Sequence, residues 1–247
     1  MTVFDFEATF GDDYLHFHAG ILTDHRSNQE AAEIAGLLDL APGAKVLDAP
    51  CGHGRIANRL AAAGIEVVGI DASAPFVDLA RGDARARSVE VRYEVGDLRH
   101  LPVAGYFDAA VCWFNSFGYF EDDENRAVLA EFRRVLRPGG RLLLETLHHD
   151  GFIRHFTAAP DATVVEADGD TMVDVTDFDV DSGRLVTRRT VFRGASVRRS
   201  SHFVRLPTVP EWRSWLAGAG FSASSFTDRG GTPLTLDSWR LVVLATA

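Results

Sequence analysis

Between residues 45 and 146 the chain alternates short apolar runs with stretches of helical periodicity, and this alternation constrains the fold more than any other feature. The apolar runs fall at 45–49, 66–70, 89–94, 107–113 and 141–146; helical spacing occupies 55–63, 75–86 and 124–136. Strands separated by helices at this spacing predict βαβ units and a parallel sheet, buried on both faces. Right-handed crossovers then bring the carboxyl ends of the strands to one edge, where ligands bind.

The pattern changes on either side. Residues 1–26 carry aromatics and histidines, among them Phe4, Phe6, Phe10, Tyr14, Phe17, His16 and His18, and read as a lid or lead-in helix. From Ser27 the apolar spacing is helical, with Ser27 as amino cap and Glu30 three residues later. After Thr146 a short helix is expected over 149–156. Alternating residues over 163–206, with turns at Asp168-Gly169, Ser182-Gly183 and Gly194-Ala195, predict an antiparallel meander of three or four strands. A helix over 210–218 and strands at 223–226 and 239–246 complete the chain. The expected organisation is an amino-terminal lid (1–40), a βα core (41–147), an inserted meander (148–208) and a return to the core sheet (209–247), all in one domain.

Composition removes several classes. Apolar residues make up 46% of the chain, enough for a large core. No stretch approaches eighteen uninterrupted apolar residues, and the acidic, mixed opening MTVFDFEATFGDDY is unlike a secretion signal. Two cysteines, Cys51 and Cys112, cannot make a disulfide framework and fit a reducing cytoplasm. A net charge of −10 opposes nucleic acid as partner. One stretch runs the other way, since seven arginines and no acid lie between Arg184 and Arg205. They read either as a solvated hairpin face or as a docking surface for an anionic partner.

The chemistry concentrates at Val46-Leu47-Asp48-Ala49-Pro50-Cys51-Gly52-His53-Gly54, where an apolar strand enters a glycine turn and then a helix. The glycines let backbone approach a ligand closely, and the helix start offers unpaired N–H groups. Asp71 closes the second strand, placed to accept from two ribose hydroxyls. Gly96-Asp97-Leu98 follows the third, with Asp97 set for an exocyclic amine and Leu98 for a ring face.

The strings VLDAPCGHGRIA, VVGIDAS, EVGDL, FDAAVCWFNSFGYF and RVLRPGGRLLLET resemble, in order and spacing, the successive motifs of class I S-adenosylmethionine (SAM) dependent methyltransferases. The nearest flavour is the small-molecule group that includes sugar N-methyltransferases of antibiotic pathways. The resemblance covers about residues 10–146. It implies an α/β fold with a Rossmann-like, mostly parallel seven-stranded sheet, SAM as cofactor and a small-molecule methyl acceptor. Gly52 and Gly54 then flank the methionine part of SAM, bordered by Ala49, while Asp48 orients the loop and the ammonium. Asp71 and Ala72 take the ribose, Asp97 and Leu98 the adenine, and Trp113 and Phe114 the floor, with Asn115 beside them towards the acceptor. Arg26 and Arg55 are candidates for the carboxylate because a guanidinium forks onto it; a surface arginine is the other reading. NAD is disfavoured because a second mononucleotide half is missing, the chain turning instead to a meander.

A general base is needed only where the acceptor must lose a proton. The candidates are His148, His149 and Asp150 after the fifth strand, and Tyr14, His16 and His18 on the lid. Tyr14 is better suited to contact SAM, and His18 to contact the acceptor. Arg240, in Asp237-Ser238-Trp239-Arg240, faces the acceptor or ties its loop down. No metal is expected, since adjacent His148 and His149 cannot both reach one ion from a strand. Two alternatives stand beside the small-molecule reading: an RNA or protein methyltransferase docking through the arginines, and a SAM-binding protein that transfers no methyl group. A homodimer is expected because it would cover the exposed edge of the meander.

Overall fold

The computed structural model describes residues 9–156 and 161–247, so Phe4 and Phe6 of the expected lid lie outside the described residues. Two helices, α1 (Asp12–His18) and α2 (Asp24–Leu37), precede the alternating core. Ser27 does not cap α2. Thr23 does, its side chain accepting from the Arg26 N–H, and Ser27 is buried one turn inside the helix. The capping signal at Ser27 and Glu30 misleads because Thr23-Asp24 carries an equally good one a turn earlier. Glu30 is instead buried among arginines.

The core runs β1 (Lys45–Asp48), α3 (Ala57–Ala62), β2 (Glu66–Asp71), α4 (Ala74–Ala86), β3 (Val91–Val95), β4 (Phe107–Cys112), α5 (Asp122–Val135) and β5 (Leu136–Leu147). After α6 (His149–His155) come β6 (Asp161–Ala167), β7 (Asp170–Asp179), β8 (Arg184–Arg193) and β9 (Ser196–Arg205). Then α7 (Val209–Gly218), β10 (Ala223–Thr227) and β11 (Arg240–Thr246) finish the chain. Seven strands form the main sheet in the order β3-β2-β1-β4-β5-β11-β10, and β11 is antiparallel to β5. This is the mostly parallel α/β sheet expected. The ladder to β11 covers only Arg141 to Leu147, so the Pro138-Gly139-Gly140 turn lies in the irregular start of β5.

Strand apolarity is continuous because both faces are covered. Leu142 and Leu144 of β5 pack with Phe132 and Trp212 on one side, and Leu143 packs with Ile34 and Leu38 on the other. Each such leucine removed from water contributes about 2 kcal/mol. Strand order reverses between β1 and β4, where β2 lies on one side of β1 and β4 on the other. A crevice at the carboxyl ends is the consequence of that reversal.

The meander is a separate antiparallel sheet, β6-β7-β8-β9. Its first hairpin turns through Asp168 (φ 49°) and Gly169 (φ 85°), both left-handed as a type I′ turn requires. Helix α1 docks on this sheet. Phe17 packs with Met172 and Val191, Asp13 pairs with Arg193 and Arg198, and His16 lies 3.1 Å from Asp170. With Arg184 on Glu121, Arg189 on Asp174, and Arg205 on Asp122 and Glu211, Arg193 and Arg198 make five of the seven arginines over 184–205 that are paired within the chain. Among the described residues no helix is long and apolar enough to cross a membrane.

Candidate functional site

A cleft opens at the strand ends where the order reverses. Counting the open solvent at its mouth, it spans about 890 Å³. Asp48, Asp71, Gly96 and Trp113 enter it from β1, β2, β3 and β4 in turn. Each closes or follows one strand, so a single edge of the sheet supplies the whole inner wall.

The glycine loop is pinned from the neighbouring strand. Asp71 accepts from the Gly52 N–H through one carboxylate oxygen and from the Ser73 N–H through the other, both at 2.8 Å. Burial pushes its pKa above the usual carboxylate range, opposed by those two backbone donors. The two glycines of the loop differ in kind. Gly52 (φ 54°) has open space where a Cβ would stand, whereas a Cβ on Gly54 (φ 80°) would lie 2.5 Å from the Tyr93 hydroxyl and 2.7 Å from Ala80. Gly52 leaves room at the cleft, and Gly54 lets the loop press against α4.

Asp48 is 2% exposed, and its Oδ2 has no hydrogen-bond partner among the described residues. Burial raises its pKa to about 7, against the Arg55 charge and the Ala57 N–H, which favour the ionised form. A buried orphan acceptor bordering a cleft fits a cationic donor. Trp113 Nε1 is likewise buried without a hydrogen-bond partner. At the next strand end Asp97 is gripped by Arg99, whose Nη2 lies 2.6 Å from Oδ2, and this holds the Asp97 carboxyl below its usual pKa despite burial. Arg99 in turn lies 4.5 Å over the Phe120 ring.

Of the residues singled out in the sequence, Tyr14, Asp48, Gly52, Asp71, Ala72, Asp97, Leu98, Trp113, Phe114 and Arg55 line this one cleft. Others are spent on structure. Ala49 is buried in the core, its N–H bonded to Val111 O. Arg26 pairs with Glu30 at 2.9 Å, lies 4.9 Å from the ring centroid of cleft-lining Phe114, and borders a separate surface groove. His148 caps α6, its Nδ1 between the Gly151 N–H (3.3 Å) and the Ser238 carbonyl oxygen (3.0 Å). His149 pairs with Asp150 and faces the Phe178 ring. His18 stacks on Tyr14, 4.4 Å between centroids, and bonds the Tyr14 carbonyl through Nδ1 at 2.8 Å. Asn115 accepts from Thr146 Oγ1 and the Leu147 N–H, and Arg240 forks onto buried Glu145.

The structure adds residues that sequence reasoning did not select. His53, in the glycine loop, faces the cleft, and burial with the nearby Arg55 charge lowers its pKa to about 4, so it is neutral near pH 7. Phe10, Phe76, Tyr119 and Phe120 supply aromatic walls. Tyr119 and Phe120 sit in the same string as Trp113 and Phe114, which was the available signal. Burial pushes the Tyr14 and Tyr119 hydroxyls up, away from easy ionisation.

Residues 46–140 match the family described as methyltransferase domain. Glycine/sarcosine N-methyltransferase of Halorhodospira halochloris is 34% identical over 135 residues, 53% of this chain and 50% of that protein. Demethylmenaquinone methyltransferase of Thermus thermophilus is 41% identical over 124 residues, 49% of this chain and 54% of that one. The chain thus spans about half the length of the curated relatives it matches. Among solved structures, the CcbJ methyltransferase of Streptomyces caelestis superposes with a TM-score of 0.75 at 23% identity, over 90% of this chain and 89% of that one. The SAM-bound amino pentose methyltransferase CalS10 of Micromonospora echinaspora gives 0.66 at 26% identity, over 90% and 92%.

Proposed function

We propose that this chain, whose residues 46–140 form a methyltransferase domain, binds SAM in the cleft and transfers its methyl group to nitrogen or oxygen of a small molecule. The observation that carries this reading is one cleft edged by Asp48, Asp71 and Asp97 at successive strand ends, with an orphaned buried acceptor on Asp48. When bound, SAM supplies an already activated methyl group, so the protein's work is to align the acceptor and exclude water. Asp71 takes the ribose hydroxyls while still holding the Gly52 N–H. Asp48 accepts from the amino-acid ammonium, Arg55 meets its carboxylate, and Asp97 with Leu98 frames the base.

Phe10, Tyr14 and Tyr119 close the mouth and exclude water. Burial disfavours His53 and the two tyrosines as general bases, and Asp48, which ionises near neutrality, is engaged by the ammonium. This supports an acceptor that arrives as its own nucleophile. The pairing of five arginines within the chain weighs against docking a polyanion. Two buried free thiols fit the cytoplasm. A second copy covering the outer face of the small sheet, where Val164, Phe192 and Val197 are exposed, would make a homodimer that light scattering can test.

The test is calorimetric titration of the purified chain with S-adenosylhomocysteine, followed by mass spectrometry of candidate amines incubated with SAM. Saturable binding and a mass gain of one methylene support the reading; no heat and no binding end it.

A further inference from the structure

Phe114 (φ 66°) and Asn115 (φ 58°) follow one another in the left-handed region, directly after β4 and at the edge of the cleft. A bulky residue there is rare, and two adjacent non-glycine residues need outside support. The end of β5 supplies it. The Phe114 N–H donates to Glu145 Oε2 at 3.0 Å, and the Asn115 N–H to the Glu145 carbonyl oxygen at 3.0 Å. Asn115 Oδ1 accepts from Thr146 Oγ1 at 2.8 Å, and the Asn115 carbonyl accepts from the Tyr119 hydroxyl at 2.7 Å. Glu145 is itself fully buried in a central strand, and Arg240 of β11 forks onto both its oxygens. Such a pair costs desolvation, so its place beside a strained loop calls for a role.

The strained turn sets the Phe114 ring. The Arg55 guanidinium lies 4.8 Å from the ring centroid and Arg26 4.9 Å from it, and Glu30 is the ionic partner of both; of the two, Arg55 lines the cleft. Arg55 is therefore aimed into the cleft from two sides, by a carboxylate and by an aromatic face.

We infer that Glu145 and Arg240 are positioning residues: through the Phe114–Asn115 turn they hold Arg55 where it meets the carboxylate of an amino-acid-bearing nucleoside. This inference rests on the reading of the cleft as a SAM site. Arg240 then acts on the cofactor end of the cleft rather than on the acceptor. Neutralising Glu145 frees the Phe114 N–H from its charged acceptor, relaxes the turn and leaves Arg55 without its ring.

The test compares two ligands that share the thioadenosine part. S-adenosylhomocysteine carries the ammonium and carboxylate; 5′-methylthioadenosine lacks both. In Glu145→Gln and Arg240→Gln, calorimetry is expected to show affinity for S-adenosylhomocysteine falling about tenfold while that for 5′-methylthioadenosine moves less than about twofold. Phe114→Leu removes the ring without touching the buried pair, and is expected to show the same selective loss even if the other variants fold poorly. Equal losses for both ligands, or no loss for either, overturn the inference. Wild-type protein that binds neither ligand instead removes the SAM reading on which it stands.

Discussion

The deep end of the cleft is walled by residues that leave four neighbouring strands of one sheet, whereas its mouth is walled by side chains gathered from α1 and from the loop after β4. The inner wall is fixed by backbone. Asp71 is held by two N–H groups at 2.8 Å, and the glycine loop is wedged against α4. The mouth depends instead on ion pairs between α1 and the small sheet, such as Asp13 with Arg193 and Arg198, where side chains are partly exposed. The rigid end suits a cofactor that is the same in every turnover. The adjustable end suits an acceptor that must enter and leave.

That contrast breaks first at Asp71. Asp71→Ala removes the ribose acceptor and unpins Gly52, and titration should show affinity for S-adenosylhomocysteine falling about a hundredfold or more, since hydrogen bonds to charged groups contribute about 1.5–3 kcal/mol each. Next come the two glycines, which should separate stability from binding. Gly54→Ala drives a Cβ into Tyr93 and Ala80, and denaturant unfolding should show a loss of about 2–3 kcal/mol. Gly52→Ala meets open space, so it should cost about 1 kcal/mol in stability and show more of its effect in binding.

Asp48 sharpens the comparison through pH. With its pKa raised to about 7 it holds a proton below neutrality, and it must lose that proton to accept from an ammonium. Affinity for S-adenosylhomocysteine should therefore rise with pH up to about 7 and level above it, approaching tenfold per unit well below that point. In Asp48→Asn the profile should be flat. The sign for stability is opposite. In the free protein the folded state holds this proton between the ordinary carboxylate range and pH 7, so Asp48's contribution to stability falls as pH rises through that window.

The smallest effect belongs to the mouth. Asp13→Asn loosens α1 by two partly exposed ion pairs, about 0.2–1 kcal/mol each. Stopped-flow release of S-adenosylhomocysteine should quicken a few-fold, and added salt should quicken the wild type toward the variant.

Legibility in the sequence follows the same division. Asp48, Gly52, Asp71 and Asp97 each sit at a strand end inside a short contiguous string, so local pattern places them on one edge. His148, Asn115 and Arg240 sit at the same edge yet are tied to neighbouring strands and turns. A polar residue there looks alike in sequence whether it faces a ligand or a backbone group. Glu145 left a signal that was readable, because an acid directly after Leu142-Leu143-Leu144 in a buried strand must find a partner, but which arginine reaches it depends on the β5–β11 register. The docking of α1 was beyond local pattern, since Phe17 meets Met172 and Val191 across more than a hundred and fifty residues.

The most direct test of the central claim is a crystal structure of the chain with S-adenosylhomocysteine. The account predicts ribose hydroxyls on Asp71, the base beside Asp97 and Leu98, and the ammonium on Asp48. Density for the nucleoside at any other place on the molecule would contradict it.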